Sequence, residues 1–256
     1  MEITTRQHQI LSEKVYKECG INLHHGKLEL LKARLAKRMR VVGINSTREY
    51  IDLIQKDEKE FLSFIDAVST NHTFFFRENR HCEFMMANVD SSAYLKIWSA
   101  ASSSGEEPYS IAVQLVNNGY RFDMFASDIS NTMLTLAQRG IYYKDKLRLV
   151  PHPILRKYFQ KGYDRWEEYV RVKKAVRDLV VFGRHNLVTD RSPGLFDIIF
   201  CRNVMIYFDD STRQKVIDNL FGSIKQGGYL IIGAAEGLVG LNHDFKYIEP
   251  SIYQKL

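Results

Sequence analysis

A loop built only from Ala, Ser and Gly, residues 99–105, runs straight into two adjacent carboxylates, Glu106 and Glu107. With so few side chains, such a loop leaves its backbone open to a ligand. The apolar, aromatic run Tyr94-Leu-Lys-Ile-Trp98 before it reads as a buried strand, and Glu106-Glu107-Pro108 after it opens a helix. Strand, small-residue loop, helix is the first unit of a nucleotide-binding α/β fold, with the ligand at the carboxyl end of the strand. A pyrophosphate would want bare amides and positive potential, as in G-x-G-x-x-G or Walker loops, and two carboxylates repel it. A ligand with ribose hydroxyls and a positive centre suits them better, and S-adenosylmethionine has both. A surface turn with a helix-capping Glu pair fits the same residues. Asp128 closes the next hydrophobic run about twenty residues on, the spacing at which a dinucleotide fold sets an acid on ribose hydroxyls. It also fits as a cap for a helix over 130–138.

Two further clusters carry chemistry. Ser69-Thr-Asn-His-Thr-Phe-Phe-Phe-Arg-Glu-Asn-Arg80 is too polar at its head for core and too aromatic for a free linker. It reads as a connection over the ligand pocket, with Asn71, Thr73 and Arg77 facing the ligand and the Phe run anchoring it. A helix start capped by Thr70 or Asn71 is the other possibility. Phe196-Asp-Ile-Ile-Phe-Cys-Arg-Asn203 is the clearest parallel strand, ending in Arg202-Asn203 and followed by Val-Met-Ile-Tyr-Phe208. No Ser-His-Asp or metal-ligand constellation stands out. Cys19, Cys82 and Cys201 lack C-x-x-C spacing, which argues against a disulfide framework or zinc and fits a reducing compartment.

The elements that must hold these residues fall into two parts. Residues 1–70 read as all helix: Ile10, Leu11, Val15, then Leu28, Leu31, Leu35 and Met39 recur at helical spacing, punctuated by Gly20, Gly26 and Gly43. A further helix is expected over 47–62, started by Ser46 or Thr47. Between Lys27 and Arg40 stand six bases (Lys27, Lys32, Arg34, Lys37, Arg38, Arg40) against one acid, Glu29. That density makes either a solvated face or a dock for something acidic.

From Tyr94 onward strands alternate with helices, which predicts a doubly wound α/β sheet. A second strand covers 120–128, and Gly140-Ile-Tyr-Tyr reads as a break. Residues 169–176 and 179–182 alternate like antiparallel strands, an insertion at about 158–180. Residues 180–188 return to the core sheet. Lys225-Gln-Gly-Gly-Tyr-Leu-Ile-Ile-Gly233 reads as a helix end, a glycine turn and a strand, and the tail around Pro250 as a hairpin.

The 256 residues suffice for one large domain or a small plus a medium one, and 45% apolar with 26% charged residues is ordinary for a globular protein. There is no run of 18 apolar residues. The polar start lacks a signal-peptide core, so a cytoplasmic location is expected. The net charge of +6 suits solvation, an acidic protein surface or nucleic acid.

With Thr70-Asn-His-Thr-Phe-Phe-Phe-Arg-Glu, Trp98-Ser-Ala-Ala-Ser-Ser-Ser-Gly-Glu-Glu-Pro-Tyr-Ser-Ile-Ala, Phe125-Ala-Ser-Asp-Ile and Phe200-Cys-Arg-Asn-Val-Met-Ile-Tyr-Phe in this order, the chain resembles the chemotaxis receptor methyltransferases, the CheR family. The resemblance spans nearly the whole chain. It implies a small all-helical N-terminal domain (1–70), an interdomain segment (71–92) and a Rossmann-like S-adenosylmethionine domain (93–256) with a small antiparallel β insertion. The implied reaction is methyl transfer to glutamate side chains of chemoreceptors, giving methyl esters and S-adenosylhomocysteine. By motif position Asn71, Thr73, Arg77, Glu107, Asp128, Asn186, Leu187, Arg202 and Asn203 would bind the cofactor. Arg77 and Tyr207 would act on the substrate carboxylate, and the basic helix would dock on receptor helices. In some members the insertion grips a receptor C-terminal pentapeptide. A monomer is expected, with no metal, no nucleic-acid partner and no membrane insertion. No Asn-Pro-Pro-Tyr-type base pocket supports a nucleic-acid methyltransferase.

Overall fold

The computed structural model describes residues 3–23, 25–69 and 72–256. Helices α1 (Thr5–Cys19), α2 (Leu28–Val42), α3 (Thr47–Lys56) and α4 (Glu58–Val68) bury Leu11, Leu31, Leu35, Tyr50 and Phe64 in one core. Thr4 opens α1 in a capping box with Gln7, while Gly20 and Gly43 close α1 and α2 in the left-handed conformation. The single helix expected over 47–62 is two. Asp57 is the break: its carboxylate accepts from the Lys59 and Glu60 N–H groups and starts a new helix.

After α5 (Arg80–Asn88) the large sheet forms from β1 (Tyr94–Ala100), β2 (Arg121–Asp128), β6 (Val180–Arg184), β7 (Phe196–Cys201), β8 (Ile224–Ile232), β9 (Phe245–Glu249) and β10 (Ile252–Lys255). Their order is β6-β2-β1-β7-β8-β10-β9. The first five pair in parallel, and the β9–β10 hairpin joins antiparallel to β8. Leu95, Ile97 and Phe200 pack on one face and Trp98, Ala100 and Ile199 on the other, so the central strands are apolar on both sides. Because β1 lies between β2 and β7, strand order reverses there, and the crevice at their carboxyl ends is where such a sheet binds its ligand. Helices α6 (Glu106–Asn117), α7 (Asn131–Arg139) and α10 (Asp210–Ser223) connect the strands.

A second sheet, in the order β3-β5-β4, is antiparallel and draws on β3 (Ile141–Tyr143), β4 (Phe159–Lys161) and β5 (Tyr169–Val172). Here several sequence expectations change. Gly140-Ile-Tyr-Tyr is no mere break: it supplies β3, so the inserted sheet starts before residue 158. The alternation of 169–176 stops at Val172, since the Lys173 carbonyl accepts from the Val176 and Arg177 N–H groups and winds helix α9 (Lys174–Arg177). Val180–Phe182 belong to β6, parallel to β2, not to an antiparallel insertion. Helix α8 (His152–Tyr158) leads into β4. Lys225 is no helix end either: α10 stops at Ser223 and β8 begins at Ile224, absorbing Gly227 at φ +79° where its register to β7 shifts.

Candidate active site

A cleft of about 1200 Å³, its open mouth included, lies beyond the carboxyl ends of β1, β2 and β7. Its walls come from the loop after β1, the segment before α5, the chain after β6 and β7, and the helical domain through Cys19, Ile21, Val68 and Ser69.

The small-residue loop is tightly bent. Ala101 and Ser103 hold φ of +58° and +49°, and Gly105 holds +93° in a spot where a Cβ would lie 2.7 Å from that of Ala137. Asp128 pins this bend: its Oδ2 accepts from the Ser103 N–H at 2.7 Å and its Oδ1 from the Ser130 N–H at 2.9 Å. The acid expected either at a ligand or at a helix start thus does local work while lining the cleft. Burial raises its pKa above the usual carboxylate value, and the backbone donors oppose that rise.

The two carboxylates after the loop part company. Glu107 lines the cleft, accepting from Ser99 Oγ at 2.7 Å and Arg202 Nη1 at 3.1 Å. Its burial raises its pKa, with Arg202 pulling the other way. Glu106 turns away from the cleft, where Ser104 Oγ donates to it at 2.6 Å and Lys146 Nζ sits 3.5 Å off. Only one of the pair therefore faces the cleft.

Arg202, buried at the end of β7, joins three segments. Besides Glu107 it donates Nη2 to the Arg77 carbonyl at 2.8 Å and pairs with Glu78 at 3.1 Å. Asn203 donates Nδ2 to Glu78 Oε1 at 3.3 Å. Burial of Glu78 would raise its pKa, but Arg202 and the Ala234 N–H outweigh that and hold it below the usual value. Glu78 is the residue sequence reasoning passed over, although it follows Arg77 directly. Its role depends on a partner far along the chain, which no local pattern announces.

Arg77 and Thr73 both line the cleft. Arg77 donates Nη1 to the His72 carbonyl at 2.8 Å, and its guanidinium lies 5.9 Å from the Phe74 ring centre. As expected, the Phe run anchors the segment: Phe75 is fully buried, edge-on to Tyr142 of β3 and Phe159 of β4. The small sheet thus props the cleft segment from behind. Asn71 lies outside the described residues.

Asn186 and Leu187 line the opposite wall. The Asn186 amide is occupied by structure, donating Nδ2 to the Glu18 carbonyl of α1 at 2.5 Å and accepting from the Val188 N–H at 3.0 Å. Tyr207 lines the cleft from the turn after β7; its carbonyl accepts from the Asn22 N–H at 2.9 Å.

The basic stripe divides. Lys27 sits with its ammonium 5.1 Å from the Tyr207 ring centre, between the two parts of the molecule, and burial lowers its pKa. Arg38 is committed inside the helical domain, forking onto Glu60 at 3.0 and 2.5 Å while Tyr50 donates to the same carboxylate. Lys32 pairs with Glu29, Arg34 is half-buried, and Lys37 and Arg40 remain exposed. A single docking face of six bases does not form.

Two family models cover the chain: "CheR methyltransferase, all-alpha domain" over residues 7–69 and "CheR methyltransferase, SAM binding domain" over 71–253. The chain belongs to the CheR methyltransferase family. A chemotaxis protein methyltransferase of Borreliella burgdorferi is 34% identical, with 100% of this chain and 96% of the relative covered. Chemotaxis protein methyltransferase 2 of Pseudomonas aeruginosa is 34% identical over 98% and 93%, and the Escherichia coli protein 35% identical over 95% and 88%. The fold is accordingly the family's: an all-α domain on a Rossmann-like methyltransferase domain, with S-adenosylmethionine as methyl donor. The cleft suits that ligand. Ser102 Oγ and Arg202 Nε are buried there without hydrogen-bond partners, beside two carboxylates and a small-residue loop. Among the described residues no cluster of His, Cys, Asp and Glu is arranged to hold a metal ion, and no helix is long and apolar enough to cross a membrane.

Proposed function

We propose that the protein transfers the methyl group of S-adenosylmethionine to glutamate side-chain carboxylates on the cytoplasmic helices of chemoreceptors, acting in the cytoplasm as a monomer. The cofactor supplies a sulfonium methyl that is already electrophilic. A glutamate carboxylate is ionised at neutral pH and needs no base. The cleft is consistent with such an acceptor: Glu107 and Asp128 already spend both oxygens on protein donors. Burial pushes the Cys19 and Cys82 thiols up to about 12, so both stay protonated. His185 packs edge-on to Trp98 and lies 3.9 Å from Asp190, too far for a hydrogen bond to orient it. None of these five side chains is an oriented base for a hydroxyl or amine acceptor, which leaves His72, lining the cleft edge-on to Phe74, as the group to take such a proton.

What remains for the chain is positioning and water exclusion, together worth up to roughly 7–11 kcal/mol in favourable cases. Asp128, Glu107, Thr73, Asn186, Leu187, Arg202 and Asn203 hold the cofactor. Arg77 orients the incoming carboxylate through the part of its guanidinium that His72 and Glu78 leave free, and Tyr207 shapes the pocket beside it. Lys37 and Arg40 meet the acidic receptor surface.

The test mixes the purified protein with S-adenosylmethionine and a receptor cytoplasmic fragment and scores methanol released by base. Methanol that depends on the receptor is the expected result. Cofactor binding with no base-labile product would sink the glutamate acceptor.

A further inference from the structure

The turn after β7 carries Arg202, Asn203 and Tyr207 into the cleft, and it has little regular structure to hold it. Asn203 sits at φ +59°, the left-handed region that Asn tolerates better than other side chains do. The turn's main chain is held by a carboxylate from another loop. Glu236, four residues beyond β8, accepts from three main-chain N–H groups: Asn203 at 2.9 Å and Gly233 at 2.6 Å on Oε2, and Met205 at 2.8 Å on Oε1. Glu236 is half-buried and forms no part of the cleft wall. Gly233 makes the approach possible, because a Cβ there would lie 2.6 Å from Asn203 Nδ2 and 2.7 Å from Glu236 Oε2. On the other side of Asn203, Glu78 accepts from its Nδ2 and from the Ala234 N–H at 3.1 Å.

We infer that Glu236 is a positioning residue for methyl transfer: gathering three N–H groups, it fixes the turn that presents Arg202, Asn203 and Tyr207 to the cofactor and acceptor. The inference rests on reading the cleft as the methyl-transfer site, but not on which acceptor enters it. A carboxylate is the side chain suited to the task, since ionised it is acceptor-only and can serve several donors at once. In Glu236→Gln the shape stays while an NH₂ replaces one oxygen and, even in the better orientation, meets the Met205 N–H, donor against donor. The turn must then shift, and misplacement of about 1 Å is enough for losses on the order of 100-fold in rate.

The experiment titrates S-adenosylhomocysteine into wild type, Glu236→Gln and Glu236→Asp by calorimetry, and measures methylation of a receptor fragment per occupied site. In Glu236→Gln we expect one ligand per chain, a Kd raised about tenfold, and turnover per occupied site lowered by roughly 10–100-fold. Glu236→Asp, which keeps the acceptor charge on a shorter arm, should recover part of both. A folded Glu236→Gln with Kd and turnover per occupied site within about twofold of wild type overturns the inference, even if its Tm has dropped. If Glu236→Gln does not fold, Glu236→Asp is judged by the same two quantities against wild type. A wild type that binds S-adenosylhomocysteine yet leaves the receptor unmethylated refutes the acceptor, and the Kd comparison still decides on Glu236.

Discussion

Arg77 and Asp128 line one cleft but meet their surroundings in opposite ways. Arg77 is tethered through Nη1 to a neighbouring carbonyl, its Nε lies 3.6 Å from Glu78, and Nη2 is left over for an incoming anion. Asp128 has both oxygens bound to main-chain N–H groups of the loops after β1 and β2. Arg77→Ala should therefore lose turnover by about 100-fold or more while S-adenosylhomocysteine affinity falls by less than about threefold. Asp128→Asn puts an amide N–H against a backbone donor and should weaken the cofactor by roughly 10–100-fold, an effect of about 1.4–3 kcal/mol. Calorimetry beside initial rates separates the two, and equal losses in both columns would refute the division. Both residues stood out in the sequence, because the polar-aromatic segment before the first strand and the acid closing the second are local patterns. The carboxylates Glu78 and Glu236 did not, since they meet Arg202 and Asn203 only once the sheet has formed.

Helix α2 was conspicuous as a run of bases, yet sequence alone could not sort its charges. Glu60, which claims Arg38, belongs to α4, and the break at Asp57 that places it was hidden in what reads as one continuous helix. The pair is largely enclosed, so Arg38→Glu should destabilise the helical domain by about 3–5 kcal/mol, the range for stranding a buried charge. Lys37→Glu with Arg40→Glu should leave Tm nearly unchanged and instead raise the apparent KM for receptor, most at low salt. Thermal melts and rates at two ionic strengths check both. A KM untouched by the exposed pair would leave them as solvated charges. Of the small sheet, β5 was legible but its two partners were not, for a different reason. Three-residue strands are too short for alternation to register, and β3 looked like the end of a helix.

The whole molecule carries an acid-sensitive weakness beneath the site. His81 is fully buried, 3.8 Å from Glu78, with neither ring nitrogen hydrogen-bonded. Burial first, and then the nearby Arg202, lower its pKa from 6.5 to about 4. The unfolded chain thus binds a proton below pH 6.5 that the folded chain refuses until about pH 4. Stability is complete above pH 6.5 and should fall by about 3 kcal/mol as pH drops through that window. Glu78, held below its usual value, keeps its own contribution until more acid conditions. Denaturant unfolding at pH 7.5, 6 and 5 should show the slope in wild type and a flatter one in His81→Leu. Parallel slopes would remove His81 as the cause.

The cleft draws its walls from both parts of the chain: Cys19, Ile21 and Val68 from the helices, the remainder from the sheet domain, with the Asn186 amide clasping the end of α1. A molecule of methyl donor seated there is therefore a fastener as well as a reagent. Ligand in that cleft at 100 times its Kd would add about 2.7 kcal/mol to the folded state, shared by the two parts of the chain that wall it. The cell's supply of methyl donor would then govern how much intact enzyme persists, as well as how fast it works.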